Sequence, residues 1–482
     1  MALALFNNLT RKKEAFKPAE PGVVKFYGCG PTLYANPHLG NCRAFLFYDL
    51  LRRWMEYEGN KVRFVMNITD VDDKTIRKAG EEGKTLEELY EFYAKPFFED
   101  LGKLGVKKAE AYPRATKHIP QMVRLVQALE DKGLAYKGED GSFYFKISAF
   151  KKYGKLSHID AKGLKPGASG RVGHDEYEKE NASDFALWKA WTPDDGCVFW
   201  QTPLGKGRPG WHIECSAMSM HYLGETLDIH AGGVDLLFPH HENEIAQSEG
   251  ATGKQFARFW VHNEHLLVNG MKMAKRLKNF FTLGDILAKN HSPAAVRWLL
   301  LCAHYRQQLN FTFESLNAAS ASVDALMELK FNIESAMKSP KEETKGDVEK
   351  CARLCKGFLA AFKSAMDDDL NTPNAIAALF SFAKEANKLA MEGKVGRKGG
   401  AKLLDALRKA DSVLGILEMG EGKGKEGQVP MEQKAIEKKI AEREAARKKK
   451  DFATSDAIRN ELLQKHGVIL EDTPSGARWR RK

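Results

Sequence analysis

The sequence predicts an α/β protein: a parallel-sheet domain split by an insertion, then a helical bundle and a small basic C-terminal unit. Three observations predict it. Short apolar runs ending in glycine or polar turns alternate with helical periods over residues 23–75 and 210–268. Between them, residues 138–209 lose that alternation. Beyond Phe280 the period is helical almost throughout.

Val23–Gly28 (VVKFYG) reads as a buried strand. Cys29 follows between two glycines, Gly28 and Gly30. A turn containing Pro31 leads to His38-Leu39-Gly40-Asn41, which opens a helical pattern. Strand, turn and helix start offer a phosphate the unpaired N–H groups and dipole of a helix N-terminus. Gly40 would let a ligand approach the backbone. His38 alone is as readily a local hydrogen-bonding residue at a helix start. Val62–Met66 is a second strand, and Asn67-Ile68-Thr69-Asp70-Val71-Asp72-Asp73 lies at its C-terminal end, where open α/β sheets bind ligands. Asp70, Asp72 and Asp73 read equally well as a helix N-cap with first-turn acids. Residues 83–137 are helical in pattern.

In the insertion, strand signals at 142–147, 184–189 and 198–200 are separated by Gly- and charge-rich loops. Gly210–Ser219 resumes a helical period that contains Trp211 and Cys215. Thr226–His230 reads as a strand, ending in the glycine turn Ala231-Gly232-Gly233-Val234-Asp235, where Asp235 could accept a ribose hydroxyl. Phe238–Glu244 is expected to open the next helix with its proline at the start. Trp260–Val268 is strand-like and leads into the basic loop Lys272-Met273-Ala274-Lys275-Arg276. Lysines there could meet charge on a transferring phosphoryl group; a solvated loop is the plain alternative. Helical periods follow at 283–307, 313–338, 346–368, 372–391 and 399–417. Residues 420–429 (GEGKGKEGQV) read as a linker. From Met431 the chain carries 14 Lys/Arg against 9 Asp/Glu, with a strand-like 468–470 and the tail Thr473–Lys482.

Composition bounds these readings. A chain of 482 residues exceeds one core, and 43% apolar content suits a globular protein. No apolar run reaches 18 residues, so no membrane partner is expected. The N-terminus has too short an apolar stretch for a secretory signal, which predicts a cytoplasmic protein. Seven scattered cysteines predict a reducing compartment and not a disulfide framework. The net charge of +11 weakly favours a polyanionic partner.

Cys29, Cys215, His240 and Glu244 could form a metal site. His240 and Glu244, four apart on the expected helix, share a face. Two thiolates, an imidazole and a carboxylate would suit tetrahedral zinc. His241 and Glu242 are alternative ligands on the same turn, and buried core cysteines are the plain alternative. A zinc with two thiolates is suited to bind an incoming thiolate, so it would recognise a thiol-bearing substrate over a hydroxyl.

With these pieces in place, the chain resembles the class I aminoacyl-tRNA synthetases, and among them the cysteinyl family, over nearly its whole length. The family's HIGH motif matches His38-Leu39-Gly40-Asn41, and its KMSKS motif matches Lys272-Met273-Ala274-Lys275-Arg276. Its zinc ligands fall on Cys29, Cys215, His240 and Glu244. NITDVDDK, SDFALWK, GWHIECSAMS, GGVDLLFPHHENEIAQS, MDDDLNTPNA and DTPSGARW also resemble family stretches.

The resemblance implies a Rossmann-like catalytic domain with a connective insertion, a helical bundle and an anticodon-binding unit. Expected bounds are 1–137 and 210–268 for the catalytic halves, 138–209 for the insertion and 269–312 for the KMSKS-like loop with a stem-contact region. The bundle would span 313–418, the linker 419–430 and the anticodon-binding unit 431–482. The implied reaction joins L-cysteine to tRNA(Cys) at the expense of ATP, with Mg2+ accompanying ATP and one Zn2+ holding the substrate thiolate. His38, Asn41, Lys272 and Lys275 would be catalytic. Gly40, Gly232 and Asp235, with His38, Asn41 and Lys275, would contact ATP. Cys29, Gly30, Thr69 and Trp211 would form the cysteine pocket, and Trp479, Arg478 and Arg480 would contact tRNA. A monomer is expected. Asn41 replaces the second His of HIGH, and Ala274 and Arg276 replace both serines of KMSKS, with Lys278 where glycine is common; these departures are expected to alter loop closure but spare activation. Competing readings are a ligase that transfers cysteine to a small amine, and an inactive tRNA-binding paralogue.

Overall fold

The structure is a computed structural model that describes residues 2–158, 184–273, 277, 279–338, 342–420, 429–466, 468–473 and 476–481. The chain forms two compact units, Met1–Gly420 and Glu421–Lys482.

The core of the larger unit is a four-stranded parallel sheet, in the order Ala257–Asn263, Leu227–Gly233, Val23–Gly28, Lys61–Met66. Parallel strands need crossovers, and helices supply them. The Leu39–Tyr57 helix links the first two strands in sequence and buries Leu39, Phe45, Leu46, Leu50 and Trp54. Gly28 registers with both Met66 and Ala231, so the polar turns that follow these strands share one sheet edge.

The insertion is a separate antiparallel sheet, in the order Ala135–Lys137, Phe143–Phe145, Phe185–Ala190, Gly205–Pro209, Trp200–Thr202. Its first strand lies inside the stretch expected to be helical. Gly133, at φ 68°, follows the end of the Ile119–Asp131 helix, and the chain then pairs Tyr136 with Tyr144 around the positive-φ Gly141. Gly205–Pro209 runs straight into the Trp211–Leu223 helix, returning the chain to the parallel sheet.

The helical stretch expected over 283–307 is broken. Leu283–Leu287 stops before Asn290, at φ 64°, and Ser292 caps a new helix, Pro293–Cys302, with proline at its first position. Leu309–Phe311 is a short strand parallel to Leu266–Val268. The bundle comprises Phe313–Met337, Lys345–Asp367, Thr372–Met391 and Arg397–Leu414. In the first of these, Leu316, Ala319, Val323, Leu326 and Ile333 are buried at helical spacing.

Arg297 ties the bundle to the sheet domain. Its fully buried guanidinium donates to Asp49 Oδ2 (2.6 Å), Leu414 O (2.6 Å) and Leu104 O (2.9 Å). Burial pushes the Asp49 carboxyl up, but Arg297 and Arg53 outweigh it and hold the group below the usual carboxylate range. Stability from this pair is therefore present above the unfolded carboxylate pKa and lost as pH falls below it. Arg297→Met, which leaves Asp49 short of a buried partner, is expected to cost about 3–5 kcal/mol in urea unfolding.

The C-terminal unit contains helices Val429–Lys448 and Phe452–His466 and an antiparallel hairpin, Val468–Thr473 with Gly476–Arg481. The stretch read as a tail is thus a paired strand, with Trp479 in register with Leu470 and Arg478 and Arg480 on either side of it.

Candidate active site and metal centre

Cys29 leaves the Val23–Gly28 strand with its N–H on Ala231 O (3.0 Å) and its carbonyl held by the Tyr48 hydroxyl (3.1 Å). Gly30 follows because nothing larger fits: a Cβ there would lie 1.7 Å from the Asn67 carbonyl oxygen. The side chain of Asn67 accepts from the Gly30 N–H at 2.8 Å.

The four expected ligands meet. Cys29 Sγ lies 3.9 Å from Cys215 Sγ and 3.9 Å from Glu244 Oε1, and His240 Nε2 is 3.1 Å from the same oxygen. One donor atom from each of Cys29, Cys215, His240 and Glu244 lies within 4.8 Å of the others, and all four residues are buried. Cys29, His230, His241 and Glu244 form a second group that meets the same limit, so Cys29 and Glu244 belong to both. His241 Nε2 sits 3.3 Å from Cys29 Sγ while its Nδ1 faces His262 Nε2 at 2.8 Å. Glu242 is in neither group. Its carboxylate accepts from Gly154, Leu156 and Ser157 N–H at 2.9, 3.0 and 2.7 Å, anchoring the insertion instead.

His240 and Glu244 do not share one regular helix. The helix begins at Glu242, and Leu237–His241 forms a wide turn before it. Phe238 is extended (φ −138°, ψ 134°), the conformation that a following proline favours, so Pro239 does not open the helix as expected.

The electrostatics suit a cation. Burial pushes the Cys215 thiol up, but the hydrogen bond with Cys29 and the nearby His240 outweigh it and bring it to about 6. Burial opposes ionised Glu244 too, yet His230 and His240 bring it to about 2. Burial lowers His240, but Glu244 reverses that and raises it to about 10. Burial and the neighbouring His230 hold His262 at about 3. Two sulfurs, an imidazole and a carboxylate in a buried cluster with anionic donors fit a zinc-type ion.

Trp211 covers this centre. Its ring stacks on His240 at 4.3 Å and 24°, and 39% of the residue remains exposed. Thr69 Oγ1 donates to Glu214 Oε2 at 2.9 Å. Glu214, His212, His230 and His262 were not singled out by sequence reasoning, and Asn67 was read only as part of the polar stretch after the second strand. For Glu214 and His212 a signal existed: both lie between Trp211 and Cys215 in sequence. The acids after the second strand are structural. Asp72 caps the Asp73–Glu82 helix through Thr75 N–H, Asp70 accepts from Arg114 and Thr116, and Asp73 pairs with Lys189 and Arg208.

At the start of the Leu39–Tyr57 helix, His38 is the cap. Asn41 N–H donates to His38 Nδ1 (3.3 Å) and His38 N–H to Asn41 Oδ1 (3.2 Å), a reciprocal capping box. Since Nδ1 is an acceptor, the neutral ring carries its proton on Nε2. Burial lowers the pKa of His38, opposed by the charge of Asp235. Asn41, at the departure from HIGH, therefore orients His38.

The basic loop is rooted at this helix start. Leu39 N–H donates to Phe281 O (2.9 Å), and a Cβ on Gly40 would lie 3.0 Å from Met273 Cε. Lys272 is exposed, and its carbonyl accepts from Asn279 Nδ2 at 3.1 Å. Lys275, with Ala274, Arg276 and Lys278, lies outside the described residues. Gly232 packs under His241, where a Cβ would meet the ring at 2.5 Å; one on Gly233 would meet Asp235 Oδ1 at 2.5 Å.

Three family models match in order along the chain. They are the tRNA synthetases class I (C) catalytic domain at 15–321, the DALR domain at 361–418 and the cysteinyl-tRNA ligase anticodon binding domain at 433–480. A cysteine–tRNA ligase of Koribacter versatilis is 47% identical, with 100% of each chain covered. One from Symbiobacterium thermophilum is 46% identical, again over 100% of both. The chain belongs to the cysteine–tRNA ligase family.

Among solved structures, methionyl-tRNA synthetase of Mycobacterium tuberculosis in complex with methionyl-adenylate has a TM-score of 0.63 at 15% identity, covering 83% of this chain and 92% of that one. That likeness shows the class I synthetase fold. Within this cysteine–tRNA ligase family chain, no helix of the described residues is long and apolar enough to cross a membrane.

Proposed function

We propose that this cysteine–tRNA ligase family member activates L-cysteine and esterifies tRNA(Cys). A carboxylate oxygen of cysteine attacks the α-phosphorus of ATP, the α–β phosphoanhydride breaks, and pyrophosphate leaves. A hydroxyl of the terminal tRNA ribose then attacks the acyl carbon, and AMP leaves. The observation that carries this reading is the convergence of Cys29, Cys215, His240 and Glu244 in a chain related over its full length to cysteine–tRNA ligases.

These four residues would hold one Zn2+, and when bound it would supply a soft Lewis acid for the substrate thiolate. Trp211 would close over the side chain, while Gly30 and Thr69 line the pocket. His38 would donate from Nε2 to the α-phosphoryl oxygens as charge grows there. Gly40 would bring the helix-start backbone close to ATP, and Asp235, in the turn after the strand that carries Gly232, would accept a ribose hydroxyl. Lys272 and Lys275 would neutralise the departing pyrophosphate, with Mg2+ on ATP. Trp479, Arg478 and Arg480 would stack on and neutralise the anticodon region. The protein would act as a cytoplasmic monomer. The match of its C-terminal unit to an anticodon-binding domain favours tRNA over a small-amine acceptor.

Lys275→Ala is expected to lower cysteine-dependent pyrophosphate exchange by about 100-fold or more, the scale for losing a cationic group at a phosphoryl transition state. Unchanged exchange would remove the loop from catalysis.

A further inference from the structure

Glu214 is a buried carboxyl group with one oxygen unused, pushed above the usual carboxylate range by burial and by the neighbouring Cys215. Oε2 accepts the Thr69 hydroxyl at 2.9 Å, whereas Oε1 is buried with no hydrogen-bond partner. Thr69 is itself oriented, since Asn67 Nδ2 donates to its oxygen at 3.3 Å. The neighbouring acids are occupied. Asp70 serves Arg114 and Thr116 with its two oxygens, and Asp72 caps its helix.

Trp211, Glu214 and Cys215 stand at i, i+3 and i+4 of one helix and so lie on one face. That face carries the ring over the metal centre and one of its thiols. Two carbons separate the nitrogen of cysteine from its sulfur. A cysteine whose sulfur joins the centre beside Cys215 must therefore place its ammonium close to that face. An ammonium has only donors, and a carboxylate oxygen lacking one is its natural partner.

We propose that Glu214, oriented by Thr69 and Asn67, is the acceptor for the α-ammonium group of the substrate. It selects amino-thiols over plain thiols. The assignment rests on the metal-site reading above.

Cysteamine and 1-propanethiol test it, being near-isosteric thiols that differ by an ammonium against a methyl group. Their binding is read from the thiolate-to-metal absorption of the full-length protein loaded with Co2+. The unaltered protein is expected to prefer cysteamine by about 10–100-fold, the range for a hydrogen bond to a charged group. In Glu214→Gln that preference should collapse while 1-propanethiol affinity stays unchanged. Thr69→Val, which leaves the carboxylate but not the hydroxyl that orients it, should lose part of the preference, and it serves if Glu214→Gln does not fold. Retained preference in either variant would overturn the proposal. So would an equal weakening of both thiols, which marks a purely structural role. If neither thiol changed the spectrum of the unaltered protein, the metal-site reading would fall and take this assignment with it.

Discussion

Cys215→Ser is expected to abolish cysteine activation, lowering cysteine-dependent pyrophosphate exchange by about 1,000-fold or more, with loss of bound zinc. A thiolate is the metal ligand, and the Cys215 thiol sits at about 6, low enough to be ionised at neutral pH. A serine hydroxyl at that position stays protonated and is a poor ligand for a borderline-soft ion. Volume changes little, so the helix that carries it should remain folded. The loss should therefore separate cleanly from unfolding: metal analysis falls, exchange falls, and the urea midpoint moves only by the stabilisation that the metal supplied. The same substitution at Cys29, which is common to both candidate ligand groups, should be at least as severe. His241→Ala distinguishes the two groups: retained zinc favours Cys29, Cys215, His240 and Glu244, whereas zinc loss favours the group that contains His241.

The second large effect belongs to His38. Its ring has two tasks, since Nδ1 caps the helix through Asn41 N–H while Nε2–H is left to donate. His38→Ala removes both. Loss of the cap should cost about 1 kcal/mol of stability, and loss of the donor about 100–1,000-fold in kcat for adenylate formation. His38→Asn separates the tasks. Asparagine is among the best N-caps, so stability should return while kcat stays low. The pH dependence follows from the same bond. Burial depresses the pKa of His38, so the ring is neutral at pH 7 in the folded protein. Protonation favours the unfolded state and blocks the cap. This contribution to stability is full above the ordinary histidine range and declines as pH falls from about 6.5. Thermal unfolding from pH 8 to 5 checks that direction in the native protein against His38→Asn.

Much of the site was legible because it lies in contiguous stretches. Cys29 sits at a strand end, His38 at a helix start, and Gly232 and Asp235 at a second strand end, and a parallel sheet brings such ends to one edge. What remained hidden depends on partners far apart in sequence. Glu214 gained meaning only when Thr69, 145 residues away, was seen to donate to it. His262 registers with Gly232 through strand pairing that no local pattern reveals. Glu242 looked like a ligand by spacing, but three backbone N–H groups of the insertion claim it. The missed break at 288–292 had its signals in Asn290 and Pro293, outweighed by the apolar period on either side. Pro239 misled for a local reason: it fixed an extended Phe238 and delayed the helix.

A thiolate-binding metal centre in this chain would select cysteine for attachment to tRNA. The deciding assay is transfer of labelled cysteine to total tRNA, with ATP and Mg2+, run with and without a zinc chelator. Label is expected on tRNA, removed by chelation and restored by zinc. Folded protein that leaves tRNA unlabelled, or labels it equally well after its metal has been stripped, would rule this role of the metal centre out.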